Sequence, residues 1–399
     1  METFFFFFFL LLSSDAAEVT FSPGRRLLTF DHLPFHFHLG QYSKYNNPRL
    51  KQAYVALVAW KRAIISDPGN FTGNWVGPDV CSYNGVFCAP SLDDPLVQTV
   101  AGVDLNGADL DGCLPVELGL LTDLSILHLN SNRFANALPK TISNLTLLHE
   151  LDVSNNHLTG QFPTAVLALP SLKYLDLRFN HFEGPLPQEL FEKDLDALFL
   201  NNNRFSSCLP RNFGNSPASV VVLANNLLEG DIPCAIGKME NTLKEIILSN
   251  NSFTGCLPRE IGSLKRATVL DVSLNSLVGG LPKSLEGLLK VERLNLDNNE
   301  FTGLVPESVC LLKNLLNFSL AYNYFNGEEP GCKARSRVEF EDWGNCIVGK
   351  KRQRSALDCE SVVNKPIYCG GHLKSRLVST IAWPPSTASS PAPSVSKGY

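Results

Sequence analysis

Carboxylates and aromatic rings recur through the middle of this chain at intervals that bring them side by side. Asp104, His128, Asp152, Asp176, Phe199, Val222, Ile247, Asp271, Asn295 and Ser319 each sit between two apolar residues, and adjoining columns hold Glu150, Tyr174, Arg178, Phe179, Glu245, Asp297 and Tyr322. Such side chains suit recognition of a cation: carboxylates steer a basic ligand, and rings supply the contact area that slows its release. They do not suit catalysis. The sequence holds no nucleophile motif, metal-binding spacing or glycine-rich phosphate loop, and an open face lacks the water-excluded pocket that general acid work needs. The expectation is a binding protein, not an enzyme, with no cofactor and no metal. The expected contact residues are Asp152, Tyr174, Asp176, Arg178, Phe179 and Phe199.

The elements that position these residues are repeats. Leu127-His-Leu129-Asn-Ser-Asn132, Leu151-Asp-Val153-Ser-Asn-Asn156 and Leu175-Asp-Leu177-Arg-Phe-Asn180 are followed by further copies ending at Asn203, Asn226, Asn251, Asn275, Asn299 and Asn323, and a weaker copy spans Val103 to Ala108. Ten copies at a spacing of 23 to 25 residues form the leucine-rich repeat pattern. In each, alternation turns two apolar side chains to one inner face of a short strand. The closing Asn is expected to be buried, its amide pairing backbone groups that no regular ladder reaches. A second phrase follows, as in Gly160-Gln-Phe-Pro163, Gly184-Pro-Leu-Pro187 and Gly255-Cys-Leu-Pro258; Gly permits the bend and Pro ends the extended piece. This phrase is typical of the plant subclass. The expected fold is an α/β solenoid, a horseshoe of about ten repeats with a parallel concave sheet roughly 45 Å long. Asp152 and Asp176 then lie about 5 Å apart on adjacent strands.

The ends carry the caps. Asn47-Pro48 reads as a helix start, with Leu50, Tyr54, Leu57, Trp60 and Ile64 at helical spacing and Asp67-Pro68-Gly69 as a stop. That helix and a Cys81–Cys88 loop would cover the open edge of the first repeat. Cys310 and Cys332 are nearly one repeat apart and are expected to bridge, while Cys346, Cys359 and Cys369 read as part of a second cap. The expected layout is a signal peptide (1–17), a disordered lead-in (18–44), the first cap (45–100), the array (101–327), the second cap (328–370) and a Pro/Ser-rich tail (371–399).

The 11 Cys among 399 residues fit an oxidising compartment, since none of the zinc spacings occurs. The apolar run Phe4 to Leu12 suits a secretory signal although Glu2 is the only early charge. Asn70, Asn144, Asn250 and Asn317 stand in glycosylation sequons. His32, His36 and His38 among three Phe raise a metal site, but no Cys or carboxylate cluster accompanies them, and a loose lead-in is the better reading. The net charge of −5 argues against a nucleic-acid partner. The run Lys350-Lys-Arg-Gln-Arg354 reads as a solvated loop, with an anionic wall polymer as its alternative partner.

The flanks of the array are more specific than the repeats. Asn47-Pro-Arg-Leu-Lys-Gln-Ala-Tyr54, Cys81-Ser-Tyr-Asn-Gly-Val-Phe-Cys88, Val100-Ala-Gly-Val-Asp-Leu-Asn106, Lys193-Asp-Leu-Asp-Ala197 and Asn323-Tyr-Phe-Asn-Gly327 closely resemble the plant leucine-rich repeat extensin family over about residues 45 to 370. The resemblance implies an extracellular protein whose repeats bind small, basic, cysteine-rich rapid alkalinisation factor peptides and which acts on wall assembly and cell growth. It also implies wall polysaccharide and a membrane receptor as further candidate partners. The family's long Ser-Pro tail is nearly absent, which puts insolubilisation through that tail in doubt. The family places cysteines in matching segments of adjacent repeats; here Cys256 keeps its place, but Asp231 stands one repeat earlier and Cys234 three residues on, leaving Cys208 and Cys256 both open as its partner. Cys113 has no obvious partner and the count is odd, so the expectations are a free thiol or one that bridges two chains, the latter giving a homodimer. The competing functions are an inhibitor of wall-degrading enzymes such as polygalacturonases, and a passive structural wall component.

Overall fold

The computed structural model describes residues 47–334, 339–363, 367 and 369. All of these belong to the second of two units into which the chain divides, residues 45–399. The signal run, the lead-in with His32, His36 and His38, and the tail at 371–399 lie outside the described residues.

The repeats wind as a solenoid. Each contributes a three-residue strand such as Glu150–Asp152, Tyr174–Asp176 or Ala197–Phe199. The middle residue and the second residue after it point inward, so Leu151 and Val153, like Leu175 and Leu177, are fully buried. The concave sheet has twelve strands. Its first, Val86–Pro90, runs antiparallel to Gln98–Asp104; the rest are parallel, through Asn317–Ser319 and on to Glu339–Glu341. That last strand was not among the ten expected, and it corrects the end of the array at residue 327. It joins because Phe340 packs on Phe318 with ring centroids 5.2 Å apart, and because Asn345 repeats the Asn chemistry of the earlier turns.

That chemistry is uniform. Asn180 Nδ2 donates to the carbonyls of Val153, Leu177 and Arg178 at 2.9, 3.2 and 3.2 Å, and its Oδ1 accepts from Leu158 N at 2.9 Å. Asn345 does the same with Leu320, Asp342, Trp343 and Phe325 N. Asn132, Asn156, Asn180, Asn226, Asn299 and Asn323 are buried. Asn203, Asn251 and Asn275 were expected to be buried too but are half-buried. They keep the full set of bonds, because only the amide has to face inward.

After each Asn the chain pairs a second time. Strands His157–Gln161, His181–Pro185, Arg204–Cys208, Leu227–Asp231 and Ser252–Thr254 continue an eight-stranded flank sheet that begins at Ile64–Ser66. The bend that ends each flank strand needs a positive φ. Gly184 and Gly230 supply it at +77° and +75°, and Asn136 and Ser207 take it where Gly is missing. Beneath this sheet a phenylalanine stack includes Phe182 and Phe205, 6.2 Å apart and nearly parallel.

The first cap is a helix, Pro48–Ala63, whose N-cap Asn47 accepts from Arg49 N and Leu50 N. It buries Ala53, Ala56, Leu57 and Trp60, with Leu50, Tyr54 and Ile64 packed at the margin. Trp60 lies 5.9 Å from Phe134, which fastens the helix to the repeats. The helix stops before Asp67: Ile64–Ser66 leaves it as a strand and pairs antiparallel with Asp111–Cys113, as a β-branched pair on a sheet edge favours.

Four disulfides join Cys81 to Cys88, Cys310 to Cys332, Cys346 to Cys359 and Cys256 to Cys369. Cys113, Cys208 and Cys234 are free. The expected pairing of Cys234 with Cys208 or Cys256 is thereby corrected. Cys256 is taken by Cys369, and Cys234 opens the 3-10 turn Cys234–Met239 beyond Pro233, past the end of the flank strands. Cys208 and Cys256 stand two repeats apart with Asp231 between, about 10 Å, beyond disulfide reach. The basic run is exposed at Lys350, Lys351 and Arg352, as a solvated loop would be, but its two ends are held. Lys350 pairs with Glu328 and Asp342, and the Arg354 guanidinium lies 4.2 Å from the Tyr324 ring centroid.

Candidate peptide-binding face

Three neighbouring strands of the concave sheet assemble the expected site. Asp152 and Asp176 are register partners, as are Asp176 and Phe199. Tyr174 and Phe199 meet at 5.5 Å between ring centroids. Arg178 bridges Asp176 and Phe199: its Nε lies 3.0 Å from Asp176 Oδ2 and its Cζ 5.2 Å from the Phe199 centroid. Further along, His128 Nε2 lies 3.0 Å from Glu150 Oε2. Phe199, Val222 and Ile247 succeed one another in register, so the rings continue into an aliphatic strip without charge in that column.

Asp176 and Ser319 depart from the expected surface column by being buried, and Asp176 the more completely. Its side chain is fully buried, roofed by Tyr174, Arg178 and Phe199, so it cannot meet a ligand directly. Its Oδ1 accepts from Arg178 N at 3.0 Å and its Oδ2 from the Tyr174 hydroxyl at 3.3 Å. Burial, reinforced by Asp152, pushes its pKa to about 7 against the pull of Arg178. Burial and the same two carboxylates also raise the Tyr174 phenol. Asp152 accepts from Ser154 N at 2.9 Å and stays half-exposed, free to face a cation. Phe179 is 43 % exposed with φ of +52°, placed at the rim by the left-handed residue that precedes each ladder Asn.

Asp297, expected in an exposed column, forms a second acidic group with Glu341, which was not among the expected residues. Asp297 accepts from Ser319 Oγ and from Ala321 N at 2.5 and 2.6 Å, and Glu341 Oε2 accepts from the same Ser319 Oγ at 3.1 Å. Burial raises Asp297 to about 6. Only Glu341 was hidden from the sequence reading, because it belongs to the unexpected eleventh parallel strand. Of the sequon residues, Asn70, Asn144 and Asn250 are exposed, whereas Asn317 lies on a concave strand and donates to Glu339 Oε2 at 3.3 Å. Among the described residues no group of three His, Cys, Asp or Glu could hold a metal ion, and no helix is long and apolar enough to cross a membrane.

A parallel concave sheet, an Asn ladder, a second flank sheet and a disulfide-closed helical cap define a plant-type leucine-rich repeat protein. Residues 50–89 match the leucine rich repeat N-terminal domain, and residues 122–182, 242–264 and 290–312 match leucine rich repeat families. The chain belongs to the leucine-rich repeat extensin-like family: it is 65 % identical over 324 residues to leucine-rich repeat extensin-like protein 6 of Arabidopsis thaliana, covering 81 % of this chain and 68 % of that relative. Leucine-rich repeat extensin-like protein 2 of the same plant is 65 % identical over 328 residues, 82 % of this chain and 42 % of the relative. The chain spans between 30 % and 42 % of the length of several other such relatives. Among solved structures, the Arabidopsis receptor kinase HAESA in complex with the peptide hormone IDA and the co-receptor SERK1 is 28 % identical with a TM-score of 0.66, covering 74 % of this chain and 50 % of that one.

Proposed function

We propose that this chain is an extracellular cell-wall protein that binds a small basic signalling peptide, of the cysteine-rich rapid alkalinisation factor kind, on its concave face and so modulates wall assembly and cell growth. The observation that carries this reading is the packed group Tyr174–Asp176–Arg178–Phe199 with the half-exposed Asp152 beside it. Asp152 steers a cationic side chain, and Tyr174 and Phe199 form the anchor that sets residence time. Phe179 adds apolar area at the rim. Asp176 acts from below, fixing Arg178 over the ring so that the anchor is pre-formed. The HAESA complex with a peptide hormone and a co-receptor supports a peptide ligand on this kind of scaffold, and a membrane receptor as a further partner. Catalysis has no part in this proposal.

The test is binding of synthetic rapid alkalinisation factor peptides to the full chain, beside an inhibition assay on polygalacturonase. The expected result is peptide binding without enzyme inhibition. Phe199→Ala should speed dissociation roughly tenfold or more, as loss of a ring anchor does. Asp152→Asn should slow association and flatten its salt dependence. Peptide binding unchanged in both variants removes the concave face from consideration.

A further inference from the structure

The flank sheet carries a groove that the peptide reading does not use. It is open, about 310 Å³ in volume, and lined by Gln161, Glu183, Gly184, Arg204, Ser206 and Leu227. These residues come from four consecutive strands, His157–Gln161 through Leu227–Asp231, so the groove crosses about 14 Å of sheet. Glu183 and Arg204 are register partners, yet no ion pair joins them. Among the described residues, the Gln161, Glu183, Arg204 and Ser206 side chains have no protein hydrogen-bond partner either. A guanidinium, a carboxylate, an amide and a hydroxyl thus converge with their hydrogen-bonding capacity unspent. Leu227 is 59 % exposed beside them and adds an apolar step. Gly184, at φ of +77°, leaves the floor without a side chain.

We propose that this groove is a binding site for a neutral, extended glycan, about three sugar units of which lie across the strands. Hexopyranoses present hydroxyls that both donate and accept, together with apolar ring faces, and the lining offers partners for each. The spacing of adjacent strands is close to the length of one unit in an extended glycan, so successive sugars meet successive strands. The charge balance selects neutral over acidic sugars: Glu183 opposes Arg204, so the lining carries one charge of each sign. None of the four sequons falls on the lining strands.

The probe is cellohexaose, with hexagalacturonate as the acidic comparison, titrated calorimetrically against the full chain. Cellohexaose should bind, and Arg204→Ala and Glu183→Gln should each weaken it about tenfold, the value of one charge-assisted hydrogen bond. Both side chains are exposed and unpartnered, so melting temperature should hold in both variants. Phe199→Ala should leave glycan affinity unchanged, which separates this site from the peptide face. No cellohexaose binding, binding indifferent to both variants, or tighter binding of hexagalacturonate than of cellohexaose would each overturn the proposal.

Discussion

The two sheets of this solenoid are built by the same turns of chain but held by different means. The concave sheet runs unbroken from Gln98–Asp104 to Glu339–Glu341, each turn locked by an Asn amide to the carbonyls of its own repeat and the one before. The flank sheet receives one bond per turn from that ladder, the Asn Oδ1 accepting from the second residue of strands such as His157–Gln161 and His181–Pro185. It relies on a permissive backbone at each bend and on ring packing beneath, and it breaks after Ser252–Thr254, resuming as a separate three-stranded sheet at Val278–Gly279. Across the break lie the bridge between Cys256 and Val278, backbone bonds from Ser276 N to the Phe253 carbonyl and from Val278 N to the Gly255 carbonyl, and the Cys256–Cys369 disulfide. The concave turns, with three carbonyls bonded by each amide, keep their register throughout, whereas the flank strands, with one such bond each, break once.

The sharpest way to break this contrast is to remove the fastening at the gap. Cys256→Ser with Cys369→Ser should cost about 2–4 kcal/mol, and hydrogen exchange should rise around residues 252–279 of the flank sheet before it rises in the concave strands. Equal loss of protection in both sheets would show that they are not held separately.

The next effect is pH-dependent and confined to the concave side. Asp176 has a folded pKa of about 7 against an ordinary value of 3.8, so the folded state holds its proton more tightly. Its protonated form stabilises the fold fully below about pH 4, and that contribution is lost as pH rises through 7. Asp176→Asn should remove the dependence. The stability difference between variant and parent should shift in favour of the variant by on the order of 3 kcal/mol between those limits, read from urea unfolding at several pH values. A flat difference would mean that Asp176 is ionised at all of them.

Asn180→Ala should cost about 1–3 kcal/mol by leaving buried backbone groups unpaired, measured by the same unfolding. The smallest change is its flank-sheet counterpart: Gly184→Ala, forced to a φ of +77°, should cost about 1 kcal/mol. If the glycine change proves the more damaging of the two, the ladder is not what holds the turns.

The concave architecture was legible because its signals are local and periodic. Leu151, Val153 and Asn156 occupy one turn, and the next turn repeats them. The flank sheet was less legible, because its strands alternate weakly; His157-Leu-Thr-Gly and His181-Phe-Glu-Gly carry the pattern, but it is shorter than a strand signal usually needs. The burial of Asp176 was not legible at all. It depends on how Tyr174, Arg178 and Phe199 fold over it, and Asp152, one repeat earlier in the same column, stays half-exposed. The Cys256–Cys369 link escaped for a related reason: its partners are 113 residues apart and meet only once the cap returns to the array.

The extra Asn345 turn has a consequence for how the molecule comes apart. A stack in which each layer leans on the previous one is a one-dimensional lattice, and such lattices fray from their free ends. The carbonyl of Leu320 and the amide of Phe325 would face water if the stack ended at Asn323; Asn345 takes both, and Arg354 Nε caps the Asn323 carbonyl at 2.8 Å. A fragment cut at Gly327 therefore leaves an open lattice edge, from which melting should travel inward one layer at a time, whereas a fragment that keeps the Cys346–Cys359 loop should melt in one step.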